Sequence, residues 1–126
     1  MLAKDPVNYD ANKFLATLVG TSIDPPDYAR AVDLARTALK VKREYQELTY
    51  FARMLWLNKQ YAESESVLRE CLKMEPKDFY VNEQLGFVLQ AQGRKDEARK
   101  AYRKALEIRP DSTSVKAAIA VLDKTP

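Results

Sequence analysis

Histidine is absent from this chain of 126 residues, cysteine occurs once and glycine three times. Each shortage excludes something. Without histidine there is no Ser/His/Asp or Cys/His nucleophile pair, no histidine-ligated metal and no imidazole general base. Cys71, as the lone thiol, has no intrachain disulfide partner and fits a reducing compartment without proving one; the sequence does not name the location, and the cytoplasm is favoured over the alternatives. Three glycines are too few for the turns of a sheet protein of this size. No stretch approaches the roughly 20 apolar residues of a membrane-spanning helix, and Met1 to Asp10 lack the apolar core of a secretory signal. A soluble segment that does not insert into membranes is expected. Gly-rich phosphate loops, a G-x-S-x-G turn and metal-spaced Cys or His clusters are also missing, so neither an enzymatic role nor a cofactor or metal is expected.

What is present is helical. The chain is 46% hydrophobic and 31% charged, the balance of helices with one wet face, and no long Gly/Ser- or Pro-rich linker divides it, so a single all-α domain is expected. Its 21 Lys+Arg and 18 Asp+Glu are interleaved, which gives a net charge of +3 with little directional meaning. The densest basic run is Arg94, Lys95, Arg99, Lys100, Arg103, Lys104 and Arg109, broken by Asp96, Glu97 and Glu107. It reads as a solvated outer face, with nucleic-acid binding the lesser alternative.

Self-similarity decides the fold class. An offset of 34 superposes Phe51 on Leu85, Ala52 on Gly86, Leu55 on Leu89, Ser64 on Ala98, Leu68 on Tyr102, Cys71 on Ala105, Leu72 on Leu106 and Pro76 on Pro110. Small residues recur where two helix backbones approach, large apolar ones where the gap is filled, and proline where a helix has ended. Each period carries two apolar stripes at helical spacing: Leu48, Phe51, Ala52 and Leu55, then Val67, Leu68, Cys71 and Leu72. The repeating unit is a helical hairpin, and Gly93 is placed to take the left-handed conformation that ends a helix.

These residues resemble the tetratricopeptide repeat. The best copy is Asn82-x2-Leu85-Gly86-x2-Leu89, Ala98-x3-Tyr102, Ala105-Leu106, Pro110; no copy has the pattern's tryptophan, and Ser64 replaces its usual alanine. A first copy pairs Tyr9, Asn12, Leu15, Ala16 and Val19 with Ala31, Ala38 and Leu39, with three extra residues in a stiff Pro25-Pro26 turn. Repeats are expected at about 8–43, 45–78 and 79–111, with a capping helix at about 112–123 introduced by Asp111-Ser112. Leu2 to Pro6 reads like Leu72 to Pro76, as if another repeat preceded Met1.

By that resemblance the hairpins stack into a right-handed superhelix whose first helices line a concave groove for a helical or extended segment of another polypeptide. The groove residues it implies are Lys13 and Thr17, then Gln46, Thr49, Arg53 and Trp56, then Tyr80, Glu83, Phe87 and Gln90. Trp56, Tyr80 and Phe87 each border an apolar stripe, so the sequence leaves core packing and groove anchoring open for all three. Some family members grip the carboxylate terminus of a chaperone with a Lys/Asn clamp. Lys13 matches one clamp residue, but Thr17, Arg53, Glu83 and Phe87 stand where Asn, Asn, Lys and Arg are expected, which argues against that ligand. Homo-oligomerisation through an exposed end hairpin or the cap is the main alternative to a free groove.

Overall fold

The computed structural model describes residues 27–124; the expected first helix with Lys13 and Thr17, and nearly all of the Pro25-Pro26 turn, lie outside them. Six helices follow one another: α1 (Tyr28–Val41), α2 (Tyr45–Leu57), α3 (Tyr61–Met74), α4 (Phe79–Ala91), α5 (Lys95–Ile108) and α6 (Thr113–Lys124). No strand forms among the described residues, and none of their helices is long and apolar enough to cross a membrane. The fold is an all-α helical repeat. The chain divides into two compact units, residues 1–67 and 68–126, with the change falling inside α3.

Helix starts and stops are written locally. Asp27 and Asp78 accept hydrogen bonds from the backbone N–H groups of Arg30 and of Tyr80 and Val81, and Ser112 Oγ accepts from Val115 N–H at 3.3 Å. Each side chain satisfies amides that have no partner inside their own helix. Asp78→Ala is expected to lower stability by about 1 kcal/mol, read from chemical denaturation, because the Tyr80 and Val81 amides in the first turn of α4 lose their acceptor.

The turns that end α2 and α4 have the same hydrogen bonds shifted by 34 positions. Gln60 N–H reaches Leu55 C=O at 2.8 Å, and Arg94 N–H reaches Leu89 C=O at 3.0 Å. Both turns need a left-handed residue at the pivot, which is Gly93 at φ 79° in one and Lys59 at φ 64° in the other. A β-carbon in that region costs roughly 1–2 kcal/mol, partly offset by glycine's larger chain entropy. Lys59→Gly is therefore expected to raise the stability by up to about 1 kcal/mol, visible as a higher denaturation midpoint.

In the first unit α1 packs on α2. Ala31, Ala35 and Ala38 let the backbones approach, while Leu48, Phe51 and Leu55 fill the space between them. Ser64 is fully buried and its Oγ donates to Ala52 C=O at 2.7 Å, so the hydroxyl at the pattern's alanine position bonds across the α2–α3 crossing. Arg36 lies 5.0 Å over the Phe51 ring and donates to Glu63 at 2.7 Å. That bond holds the Glu63 carboxyl below the usual range and raises the Arg36 guanidinium.

In the second unit α5 packs on α4 and α6 packs on α5. Gly86 is the close approach: a β-carbon built there would meet the Tyr102 ring at 2.6 Å, so the ring lies flat on bare backbone. Tyr102 is 3% exposed, and its hydroxyl donates to Gln90 Oε1 at 2.9 Å. Burial, then the Glu83 charge, push the phenol up to about 12. The folded state thus prefers the neutral ring. That contribution is whole below the unfolded phenol's value of about 10 and is lost as pH rises toward the folded value. Alkaline denaturation of wild type should be steeper than that of Tyr102→Phe over this window, as followed by circular dichroism.

Asn82 stands where the pattern has tryptophan. It is 1% exposed and donates from Nδ2 to Pro76 C=O and Asp78 C=O, at 3.2 and 2.9 Å, tying the entry of α4 to the turn before it. Cys71 is fully buried, the environment of an inert packing thiol.

Candidate functional site

Candidates on α2 and α4 occupy equivalent positions 34 residues apart, each set spaced as one helix face. On α2, in the first unit, Gln46 and Arg53 are exposed and Thr49 and Trp56 are half-buried, with Thr49 Oγ1 donating to Gln46 C=O at 2.8 Å. On α4, in the second unit, Tyr80 is 55% exposed and Phe87 40%, while Glu83 and Gln90 are half-buried. Neither Tyr80 nor Phe87 is core, whereas Phe79, at the start of the same helix, is buried. The inward face of the same helix belongs to Val81, Leu85, Val88 and Leu89. Gln90 is held from below by the Tyr102 hydroxyl, which fixes its amide.

Glu83 joins α4 to the start of α6, where Ser114 Oγ donates to its Oε2 at 2.8 Å. The two helices therefore share one face of the second unit, with α5 behind both. A pocket of about 640 Å³ opens where they meet the α5–α6 turn, lined by Phe79, Tyr80, Glu83, Arg109 and Asp111 to Ser114.

Arg109 organises this pocket. Its guanidinium lies 4.7 Å from the Phe79 ring centroid and 4.9 Å from that of Tyr80, and it donates to the Tyr80 hydroxyl at 3.2 Å. Phe79 and Tyr80 meet edge to face, with centroids 5.3 Å apart. Stacking and the hydrogen bond limit the rotamers of a long side chain, so less freedom is lost when a ligand arrives. The wall is amphoteric, with one guanidinium near two carboxylates and the hydroxyls of Ser112, Thr113 and Ser114. Such a surface can hydrogen-bond a peptide backbone and seat an apolar side chain on Tyr80 or Phe87. Among the described residues no group of acidic or thiol side chains is arranged to hold a metal ion.

Sequence reasoning missed Arg109 as part of this site and grouped it with the basic outer face. The available signal was the pair of aromatics at 79 and 80 together with the repeat offset, which puts Arg109 at the helix end equivalent to Glu75.

Comparison with known proteins agrees with this architecture. The family model described as Tetratricopeptide repeat matches residues 55–122, more than half of the chain. No curated protein matches in sequence. Among solved structures, MamA of AMB-1 superposes with a TM-score of 0.75 at 25% identity over 91% of this chain and 66% of that one. MamA 41-end from Desulfovibrio magneticus RS-1 gives 0.84 at 18% identity over 93% and 65%. The chain thus spans slightly less than two thirds of the length of either. The first TPR of Spaghetti (RPAP3), solved bound to the HSP90 peptide SRMEEVD, gives 0.80 at 16% identity over 95% and 94%. The family match, together with the repeated caps, turns and crossings, shows that the chain belongs to the tetratricopeptide repeat family of protein-interaction modules.

Proposed function

We propose that this chain is a non-catalytic scaffold module, and that the α4/α6 face of its second unit receives a helical or extended segment of another polypeptide. The observation that carries the reading is Arg109 fixed over Phe79 and Tyr80 beside a 640 Å³ pocket, with Tyr80 and Phe87 exposed on the same helix. Rigid aromatics and a preorganised guanidinium are the residue types that dominate binding energy at protein interfaces. The α2 row of Gln46, Thr49, Arg53 and Trp56 supports the same role for the first unit. Three repeats at about 8–43, 45–78 and 79–111, capped by 112–123, organise these rows in this reading.

Peptides selected from a random display library against the full chain supply the probe. Phe87→Ala and Arg109→Ala are expected to weaken the best binder about tenfold or more, while the helical signal and denaturation midpoint change little. Loss of folding in Phe87→Ala would instead assign that ring to the core.

The partner differs in charge from the peptide bound by Spaghetti. Glu83 and Phe87 put a negative and a neutral side chain where a carboxylate clamp needs cations, so SRMEEVD is expected to leave the amide resonances of Tyr80 and Phe87 unmoved. A second reading, self-association through α6, draws support from Val121, which is 51% exposed on that helix beside exposed Ala117 and Ala120. Light scattering across a concentration series separates the two, since a stable dimer favours self-association.

A further inference from the structure

The second unit carries another cavity that shares no residue with the Arg109 pocket. It lies between α3 and α5, has a volume of about 300 Å³, and is floored by Leu72, Leu85 and Leu89. Its rim is basic. Lys100 and Lys104 stand one turn apart on α5, both exposed and neither in an ion pair among the described residues. Arg69 faces them from α3, with its guanidinium 3.6 Å from Glu97, the one carboxylate of the rim. Three cations against one anion leave a net positive mouth over an apolar base.

We propose that this cavity is a docking site, separate from the α4/α6 face, for an acidic amphipathic segment of a protein partner. One leucine- or phenylalanine-sized side chain enters over the leucine floor, and carboxylates a turn to either side meet Arg69 and the Lys100/Lys104 pair. Charge complementarity selects the acidic flank and the floor selects the apolar anchor. A nucleic-acid strand satisfies only the first of these, because phosphates gain nothing from leucine and Glu97 repels them. Within the basic run of the last hairpin, Arg94 pairs with Glu97, Arg99 with Asp96 and Asp123, and Arg109 stacks on the other side, while Lys100 and Lys104 are the two members that line this cavity.

The test uses the full chain and a synthetic helical peptide with a leucine flanked by glutamates one turn before and after, followed by fluorescence anisotropy and amide chemical shifts. Saturable binding is expected, with the largest shifts at Leu72, Ala101 and Lys104. Affinity should fall about tenfold in the Lys100→Glu/Lys104→Glu variant, in a Glu→Gln peptide and in a Leu→Ser peptide, and should weaken with added salt. Lys100→Ala/Lys104→Ala gives the same test with less perturbation of the helix surface, and Phe87→Ala should leave this binding unchanged. The proposal is overturned if the peptide does not saturate, if the glutamine or serine peptides bind as well as the parent, or if the lysine variants keep full affinity. Displacement by oligothymidylate, with no dependence on the leucine, would reassign the rim to phosphate binding and overturn it equally.

Discussion

Gly86→Leu is expected to destabilise the second unit by about 3 kcal/mol, at the upper end of what overpacking a tight helix crossing costs. The β-carbon alone would sit 2.6 Å from the Tyr102 ring, and the next two nearest atoms also belong to that ring. Two of the three, Cγ and Cδ1, are close to the root of the side chain, where rotation gives little relief. Gly86→Ala makes the argument sharper. At an ordinary helix position that change raises stability by about 1 kcal/mol; here it should lower it. If the ring is the cause, pairing Gly86→Ala with Tyr102→Leu should recover most of the loss in a double-mutant cycle. Additive losses would place the origin elsewhere.

Tyr102→Ala is expected to cost about 3–5 kcal/mol, because the ring is buried against α4 and its removal leaves a large cavity over Gly86. Tyr102→Phe should cost only about 1 kcal/mol, the net worth of the hydrogen bond to Gln90. The difference divides packing from polarity at one site. A second consequence concerns the binding face: in Tyr102→Phe the Gln90 amide loses its tether, so binding should weaken without a comparable fall in helicity.

Much of the fold is legible in the residue pattern alone. Gly86, Tyr102, Ala98 and Ala105 are small or large where the repeat offset demands it. Ala98, Tyr102 and Ala105 are buried, and the Tyr102 ring covers Gly86, as a close crossing requires. Gly93 and Ser112 announce a turn and a cap by residue type. Lys59 does not: a lysine gives no sign of a left-handed backbone, and only its alignment with Gly93 hints at one. Helical period also leaves Phe87 and Tyr80 ambiguous, since both sit at the border of an apolar stripe, and their exposure depends on what α5 and α6 cover. Arg109 is illegible for a different reason. It is 29 residues from Tyr80, and a long side chain's reach is set by tertiary placement rather than by its own spacing. The leucine-floored cavity is hidden likewise, because Arg69 and Lys104 meet only once α3 and α5 lie side by side.

The central claim is that the exposed row of α4, with Arg109 and the start of α6, is where a foreign chain lies. Amide and side-chain shift mapping of a selected peptide on the full chain tests it most directly. The account predicts the strongest perturbations at Tyr80, Glu83, Phe87, Arg109 and Ser114, with Ala98 and Ala105 quiet. A footprint that leaves Tyr80, Phe87 and Arg109 untouched while the peptide is fully bound would contradict it.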